Sequence, residues 1–239
     1  MRLQSTIVAT DRLTLAERDE MFELIDASFS GAIRAKTHRD IAENDFAILL
    51  RDPESGRLGG FSLAFLTRGT VDGRAVGGIC SDDTIVDRAY WGTTTFIRAL
   101  LDFLLERAEA EPDRRWYWFY ACKGYRTYRF MPMLFSEHYP APDRPMPPDL
   151  VRVARFLASE IDHAEFDPAT GLLRWTDGGV YVLRPGVGDI DPTRLTRPDI
   201  AFFQRLNPAW TEGVELACIT PVRRDNLTAR AQRWLAEPA

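Results

Sequence analysis

The hydrophobic pattern changes period along the chain, and each change predicts an element. Residues 5–10 alternate as a short strand does. Thr14 opens a helix: with Glu17 three residues on it forms a capping box, and Leu15, Met21, Phe22, Leu24 and Ile25 supply an apolar face ending near Ser28. Residues 37–43 predict a second, shorter helix. Residues 45–51 and 59–68 read as strands separated by the turn Pro53-Glu54-Ser55-Gly56. Val71-Asp72-Gly73-Arg74 is a hairpin turn into a further strand from Ala75.

From Thr93 the period becomes helical. Ile97, Leu100, Leu101, Leu104 and Ala108 fall on one face, Arg98, Asp102, Glu106 and Glu109 point elsewhere, and Pro112 stops the helix. Residues 116–122 are almost wholly apolar, as in a strand buried on both faces. Residues 125–135 read as a helix that Pro132 kinks or ends. Residues 138–149 contain five prolines and form a stiff connector, the best boundary in the chain. The expected organisation is therefore a core over residues 1–137, a connector over 138–149, and an extension over 150–239 packed on the core. In the extension, residues 150–163 are helical. Residues 172–175 and 180–183 read as a hairpin around Asp177-Gly178-Gly179. A short helix (199–206), a strand (214–222) and a closing helix capped by Asn226 follow.

Composition removes several classes of function. A chain of 239 residues, 45% hydrophobic, can bury a substantial core. A net charge of −5 lacks the basic excess of a nucleic-acid binder. Cys80, Cys122 and Cys218 are widely spaced and form no CxxC pair, so neither a zinc site nor a disulfide framework is indicated. His38, His138 and His163 are scattered without a ligand spacing, so no metal is expected. No run approaches the ~20 apolar residues of a membrane helix, and the first ten residues lack a signal-peptide core. The expectation is a soluble, cytoplasmic protein that binds neither membrane nor nucleic acid.

The stretch from Val76 to Tyr128 joins a strand, a turn holding Gly92, a helix, an aromatic strand and a second helix. A strand that feeds a helix through a polar turn makes an anion site, because the first amides of a helix lack partners. The order up to Phe135 resembles the GCN5-related N-acetyltransferase (GNAT) fold. In that family the fourth strand leads into a turn of type Arg/Gln-x-x-Gly-x-Gly/Ala whose amides hold the pyrophosphate of coenzyme A. Here Trp91-Gly92-Thr93-Thr94-Thr95-Phe96 occupies the turn. Gly92 matches a family glycine, whereas Trp91, Thr94 and Phe96 replace Arg or Gln, a glycine and a small residue. The segment from Lys123 to Tyr128 also looks like a motif of uncharacterised bacterial proteins.

The resemblance implies an α/β (α+β) fold: a mixed, mostly antiparallel sheet flanked by helices, with a C-terminal α/β extension. It implies N-acyl transfer from a thioester of coenzyme A or acyl carrier protein to a small-molecule amine. Val86 would offer the thioester carbonyl a backbone N–H. Gly92, Thr93, Thr94 and Thr95 would hold the donor, or one of the threonines is only an N-cap; Lys123 binds a phosphate or carboxylate, or else snorkels to the surface. Asp82 and Asp83 are charges within an apolar strand. On an alternating strand they face opposite sides, and one is a candidate general base; at a bulge or bend both would simply be solvated. Tyr125 and Tyr128 are candidates for the acid that protonates the leaving thiolate, or else packing residues. In the extension, Trp175, Tyr181, Phe202, Phe203 and Trp210 are expected to pack as core between the two halves, while the hairpin and the strand from Val214 either add to the sheet or cover the acceptor site. The expected partners are the amine, an acyl carrier protein where that is the donor, and a second copy of the chain in a homodimer. The alternative is a non-catalytic ligand- or partner-binding protein on the same scaffold, resting on Trp91, Thr94 and Phe96.

Overall fold

The structure, a computed structural model, describes residues 3–176 and 181–236. The predicted turn Asp177-Gly178-Gly179, with Val180, lies outside them. The element order is β1 (Gln4–Ala9), α1 (Leu15–Ser28), β2 (Phe29–Ser30), α2 (Arg34–Glu43), β3 (Phe46–Arg51), β4 (Leu58–Val71), β5 (Arg74–Val86), α3 (Thr95–Ala110), β6 (Arg115–Cys122), α4 (Tyr125–Tyr128), α5 (Phe130–Leu134), α6 (Pro148–Ser159), β7 (Ala164–Asp167), β8 (Leu172–Trp175), β9 (Val182–Leu183), α7 (Pro198–Leu206), β10 (Glu215–Pro221) and α8 (Ala229–Ala236).

Eight strands form one sheet in the order β1-β3-β4-β5-β6-β10-β8-β7. All neighbours are antiparallel except β5 and β6, which α3 joins as a parallel crossover. The sheet is mixed, mostly antiparallel and flanked by helices, as expected. Alternation along the central strands sorts side chains between two layers. Trp116, Trp118, Tyr120 and Cys122 of β6 and Leu216 and Cys218 of β10 pack with α3 on one face. Phe119 of β6 and Ala217 and Ile219 of β10 pack with α6 on the other.

Local signals in the first half produce the elements they predict. Thr14 accepts from the Glu17 N–H at 3.2 Å while Glu17 accepts from the Thr14 N–H at 3.0 Å, completing the capping box. The break near Pro132 falls at Arg129, where α4 gives way to α5.

Three expectations for the second half change. First, β8 makes no hairpin with β9. It pairs with β7 across the turn at residues 168–171 and with β10, while β9 pairs with β2 far away in sequence. Second, Asn226 does not cap α8; Thr228 does, accepting from the Ala231 N–H at 3.2 Å. Asn226 is a buried latch that accepts from the Glu137 N–H and donates to the Glu137, Thr220 and Pro221 oxygens. Third, the connector is not a free spacer: Tyr139 exchanges backbone hydrogen bonds with Ile219 of β10 at 2.9 and 2.8 Å. The extension thus continues the core sheet through β10.

Candidate functional site

The site begins as a defect in the sheet. β4 and β5 pair as Ser62↔Thr84 and then as Ala64↔Ser81, so Asp82 and Asp83 together oppose Leu63. This is a β-bulge, which bends its strand and breaks alternation. Asp82 and Asp83 therefore line the same cleft rather than opposite faces. The parallel rungs between β5 and β6 stop at Ser81↔Tyr120. Beyond them β5 stays with β4 while β6 runs on against β10, at Leu216↔Cys122. The strands splay, and a cleft of about 1300 Å³ opens between them.

One end of the cleft is acidic. Asn44 donates from Nδ2 to Asp82 Oδ2 at 3.0 Å and to the Asp40 carbonyl at 2.9 Å. Asp82 lines the cleft and is exposed to solvent there. The surrounding protein raises its pKa, which the Asn44 bond partly offsets. Asp83 has no hydrogen-bond partner among the described residues. Burial first, and the adjacent Asp82 charge second, push it up to about 8, against the pull of Lys123. The two carboxyls titrate as a pair. Lys123 lies at this end rather than at the donor turn. Its Nζ is 2.6 Å from Glu215 Oε1, which also accepts from Trp175 Nε1 at 2.7 Å. Its ammonium sits over the rings of Phe29 and Trp175 at 5.6 and 6.0 Å. Burial opposes its charge, but Glu215 outweighs burial and Lys123 stays protonated. Lys36 pairs with Asp40 at 2.9 Å and lies over the Tyr181 ring.

The other end is basic. Asp87 accepts from the Ala89 N–H at 3.0 Å and turns the chain out of β5. Trp91 Nε1 donates to the Val86 carbonyl at 2.8 Å. The Asp87 N–H bonds Gly59 of β4, so backbone alternation points the Val86 N–H toward the gap. Gly92 has φ +92°, a left-handed conformation that favours glycine, and a Cβ there would meet open space. Thr93 and Thr94 line the cleft. Thr94 precedes α3 without a side-chain cap, which leaves the first α3 amides without a cap acceptor. Arg126 and Arg88 lie over the Trp91 ring at 4.2 and 5.3 Å. Arg129 is paired with Asp199 at 2.7 Å, but among the described residues no carboxylate pairs with Arg88 or Arg126. Burial, aggravated by the like charges of Arg194, Arg88 and Arg129, depresses the Arg126 pKa.

Three expected residues are elsewhere. The Thr95 hydroxyl donates to the Leu3 carbonyl at 3.4 Å, away from the cleft. Tyr125 is fully buried, and its hydroxyl accepts from Arg194 Nη1 at 3.1 Å. Tyr128 donates to the Pro140 carbonyl at 3.3 Å and packs against Phe202 and Phe203. Neither phenol lines the cleft. Conversely, Asn44, Arg88, Arg126, Trp175 and Glu215 escape the sequence reading as site residues. Arg88 and Arg126 flank the turn and the aromatic strand closely enough for a local basic pattern to have flagged them. Asn44 and Glu215 reach the site only through long-range pairing. Among the described residues, no group of three His, Cys, Asp or Glu side chains is placed to hold a metal, and no helix is long and apolar enough to cross a membrane.

No protein-family model matches the sequence, and no curated protein matches it. Solved structures with partial likeness include a conserved protein of unknown function, probable N-acyltransferase, from Enterococcus faecalis V583, at 12% identity over 54% of this chain and 31% of that one, TM-score 0.39. Another is a GNAT family N-acetyltransferase from Escherichia coli in complex with CoA, at 17% identity over 54% and 69% of the two chains, TM-score 0.37. A third is an acetyltransferase from Trypanosoma brucei, at 19% identity over 61% and 98%, TM-score 0.38. The chain spans under a third of the Enterococcus protein, at 31% of its length.

Proposed function

We propose that this chain is an N-acyltransferase that moves an acyl group from an acyl-CoA thioester to a small amine. One observation carries the reading: among the described residues, a cleft between splayed strands has guanidiniums without a carboxylate partner at one end and a carboxyl without a hydrogen-bond partner at the other. A polyanionic donor and a cationic acceptor fit opposite ends of such a cleft.

The donor phosphates lie against Arg88, Arg126 and the first amides of α3. The thioester carbonyl accepts from the Val86 N–H, which stabilises the oxyanion as it forms. At the acidic end Asp83, in its deprotonated form, takes one proton from the acceptor ammonium. The free amine attacks the thioester carbon, a C–N bond forms and the C–S bond breaks. The second nitrogen proton goes to the departing thiolate, so the products are an amide and a thiol. Tyr125 and Tyr128 have no part in this scheme. An acyl carrier protein thioester shares the pantetheine arm but offers one phosphodiester, which would leave much of the Arg88 and Arg126 charge unmet; acyl-CoA is therefore the preferred donor.

The withdrawal of both tyrosines favours a second reading, a binding protein without turnover. Two measurements separate the readings. Coenzyme A at a hundredfold its Kd should stabilise the protein by ~2.7 kcal/mol, with each kcal/mol moving Tm by about 2–4 °C. Acetyl-CoA mixed with primary amines should release thiol. A Tm shift without thiol release selects the binding protein. No shift with coenzyme A, together with a shift from loaded acyl carrier protein, moves the donor to the carrier. No response to either overturns the donor assignment.

A further inference from the structure

The acidic end of the cleft holds both lysines of the chain, and each already has a carboxylate. Lys36 is paired with Asp40 at 2.9 Å and Lys123 with Glu215 at 2.6 Å. Glu215 is itself fixed by Trp175 Nε1 at 2.7 Å and is only 6% exposed. Once these pairs are counted, Asp82, which accepts one amide hydrogen from Asn44, and Asp83 have no ion-pair partner among the described residues. Phe29, Trp175, Tyr181 and Leu183 wall the space around them with apolar surface.

An ammonium group answers this arrangement, and a carboxylate beside it does not. In an α-amino acid the carboxylate follows the nitrogen by one carbon. It would be carried next to Asp82 and Asp83, where like charges in an enclosed site repel strongly. The cation suited to receive it is Lys123, and the buried Glu215 holds that cation. Lys123 stands close enough to act on the charge of Asp83, so it is within range of an acceptor seated there.

We propose that the acceptor is a primary amine with no carboxylate beside the reacting nitrogen, and that Glu215, supplied by the C-terminal strand β10, sets this preference by occupying Lys123. The proposal rests on the reading of the cleft as an amine-binding site. It gives the extension a specificity role: β8 and β10 bring Trp175 and Glu215 to a gap opened by β5 and β6. Glu215 is a positioning residue here, acting through Lys123 rather than on the amine.

The test compares matched pairs that differ by one carboxylate: tyramine with tyrosine, tryptamine with tryptophan, and phenethylamine with phenylalanine. Calorimetry measures binding to the wild type, to Glu215→Gln and to Trp175→Phe, and thiol release from acetyl-CoA is followed in parallel. The wild type should bind at least one amine tenfold or more tightly than its amino acid. Glu215→Gln frees Lys123, so the amino acid should gain and the ratio should fall by about tenfold. Trp175→Phe keeps an aromatic ring but removes the N–H that shares Glu215 Oε1 with Lys123 and anchors the carboxylate, so its ratio should fall less. This variant also keeps the test decisive if Glu215→Gln melts below assay temperature. Equal or tighter binding of the amino acids by the wild type overturns the proposal. So does a ratio unmoved in whichever variants remain folded, or failure of every pair to bind. If amines bind with the stated ratio but no thiol is released, the acceptor class stands and the proposed activity falls. If thiol is released with amino acids preferred, the activity stands and the acceptor class falls.

Discussion

In the proposed scheme, Asp83 is the residue on which the chemistry turns. A carboxyl held up to about 8 by burial and by Asp82 is protonated over most of the neutral range. Two consequences follow. If Asp83 is the base, kcat/KM should rise with pH through the region of 8, and Asp83→Asn should lower it by about 100-fold or more and remove that rise. The second consequence is for stability. A carboxyl whose pKa is raised by folding contributes fully at and below the ordinary carboxylate range, and its contribution is lost as pH rises through about 8. Asparagine mimics the protonated form, so the Tm of Asp83→Asn relative to wild type should climb between pH 5 and pH 8. A constant difference would mean that Asp83 is not held protonated. The identity of Asp82 and Asp83 as misplaced charges is plain from sequence. A bulge there is one of two readings the sequence leaves open, and the choice is made by the register with β4, where both residues oppose Leu63.

At the scale of elements, the turn into α3 combines two sources of positive potential. The helix supplies unpartnered amides, and Arg88 and Arg126 bracket the Trp91 ring without a carboxylate to neutralise them. Trp91, which departs from the resembling turn, carries two cations over its ring and donates to the Val86 carbonyl. Arg88→Ala and Arg126→Ala should each weaken coenzyme A binding by about tenfold, as expected for loss of a charge-assisted contact. The double variant should also bind with a shallower dependence on salt. Calorimetry at two ionic strengths measures both, and unchanged affinity would place the phosphates elsewhere. The turn, its glycine and the helix after it are legible in the sequence because a left-handed glycine and a helical period are local. The direction of the Thr95 hydroxyl toward Leu3 is not local, nor is the burial of Tyr125 and Tyr128. Each is decided by what packs from β1, α7 and the segment after α5.

For the whole molecule, the C-terminal extension is structurally continuous with the N-terminal half that carries β5 and β6. β10 lies against β6, and Asn226 ties the segment after α5 to the end of β10 through four hydrogen bonds. Asn226→Ala should therefore cost about 3 kcal/mol, since it removes several bonds and strands buried partners, and lower Tm by about 6–12 °C. A change of under 1 °C in thermal unfolding would show that the latch carries no load. The sequence by itself determines the period of each element, the caps and turns of the first half, the strand–turn–helix at the cleft, and the set of charges available to it. Those properties depend on neighbours a few residues apart. Only the tertiary structure decides that Asp82 and Asp83 share a side, that Lys123 belongs to Glu215 rather than to the donor, that two tyrosines are core, and that β8 pairs with β7 and β10 rather than β9. Each of these depends on which distant strand lies alongside, and strand partners are chosen by burial across the whole sheet rather than by any short stretch of chain.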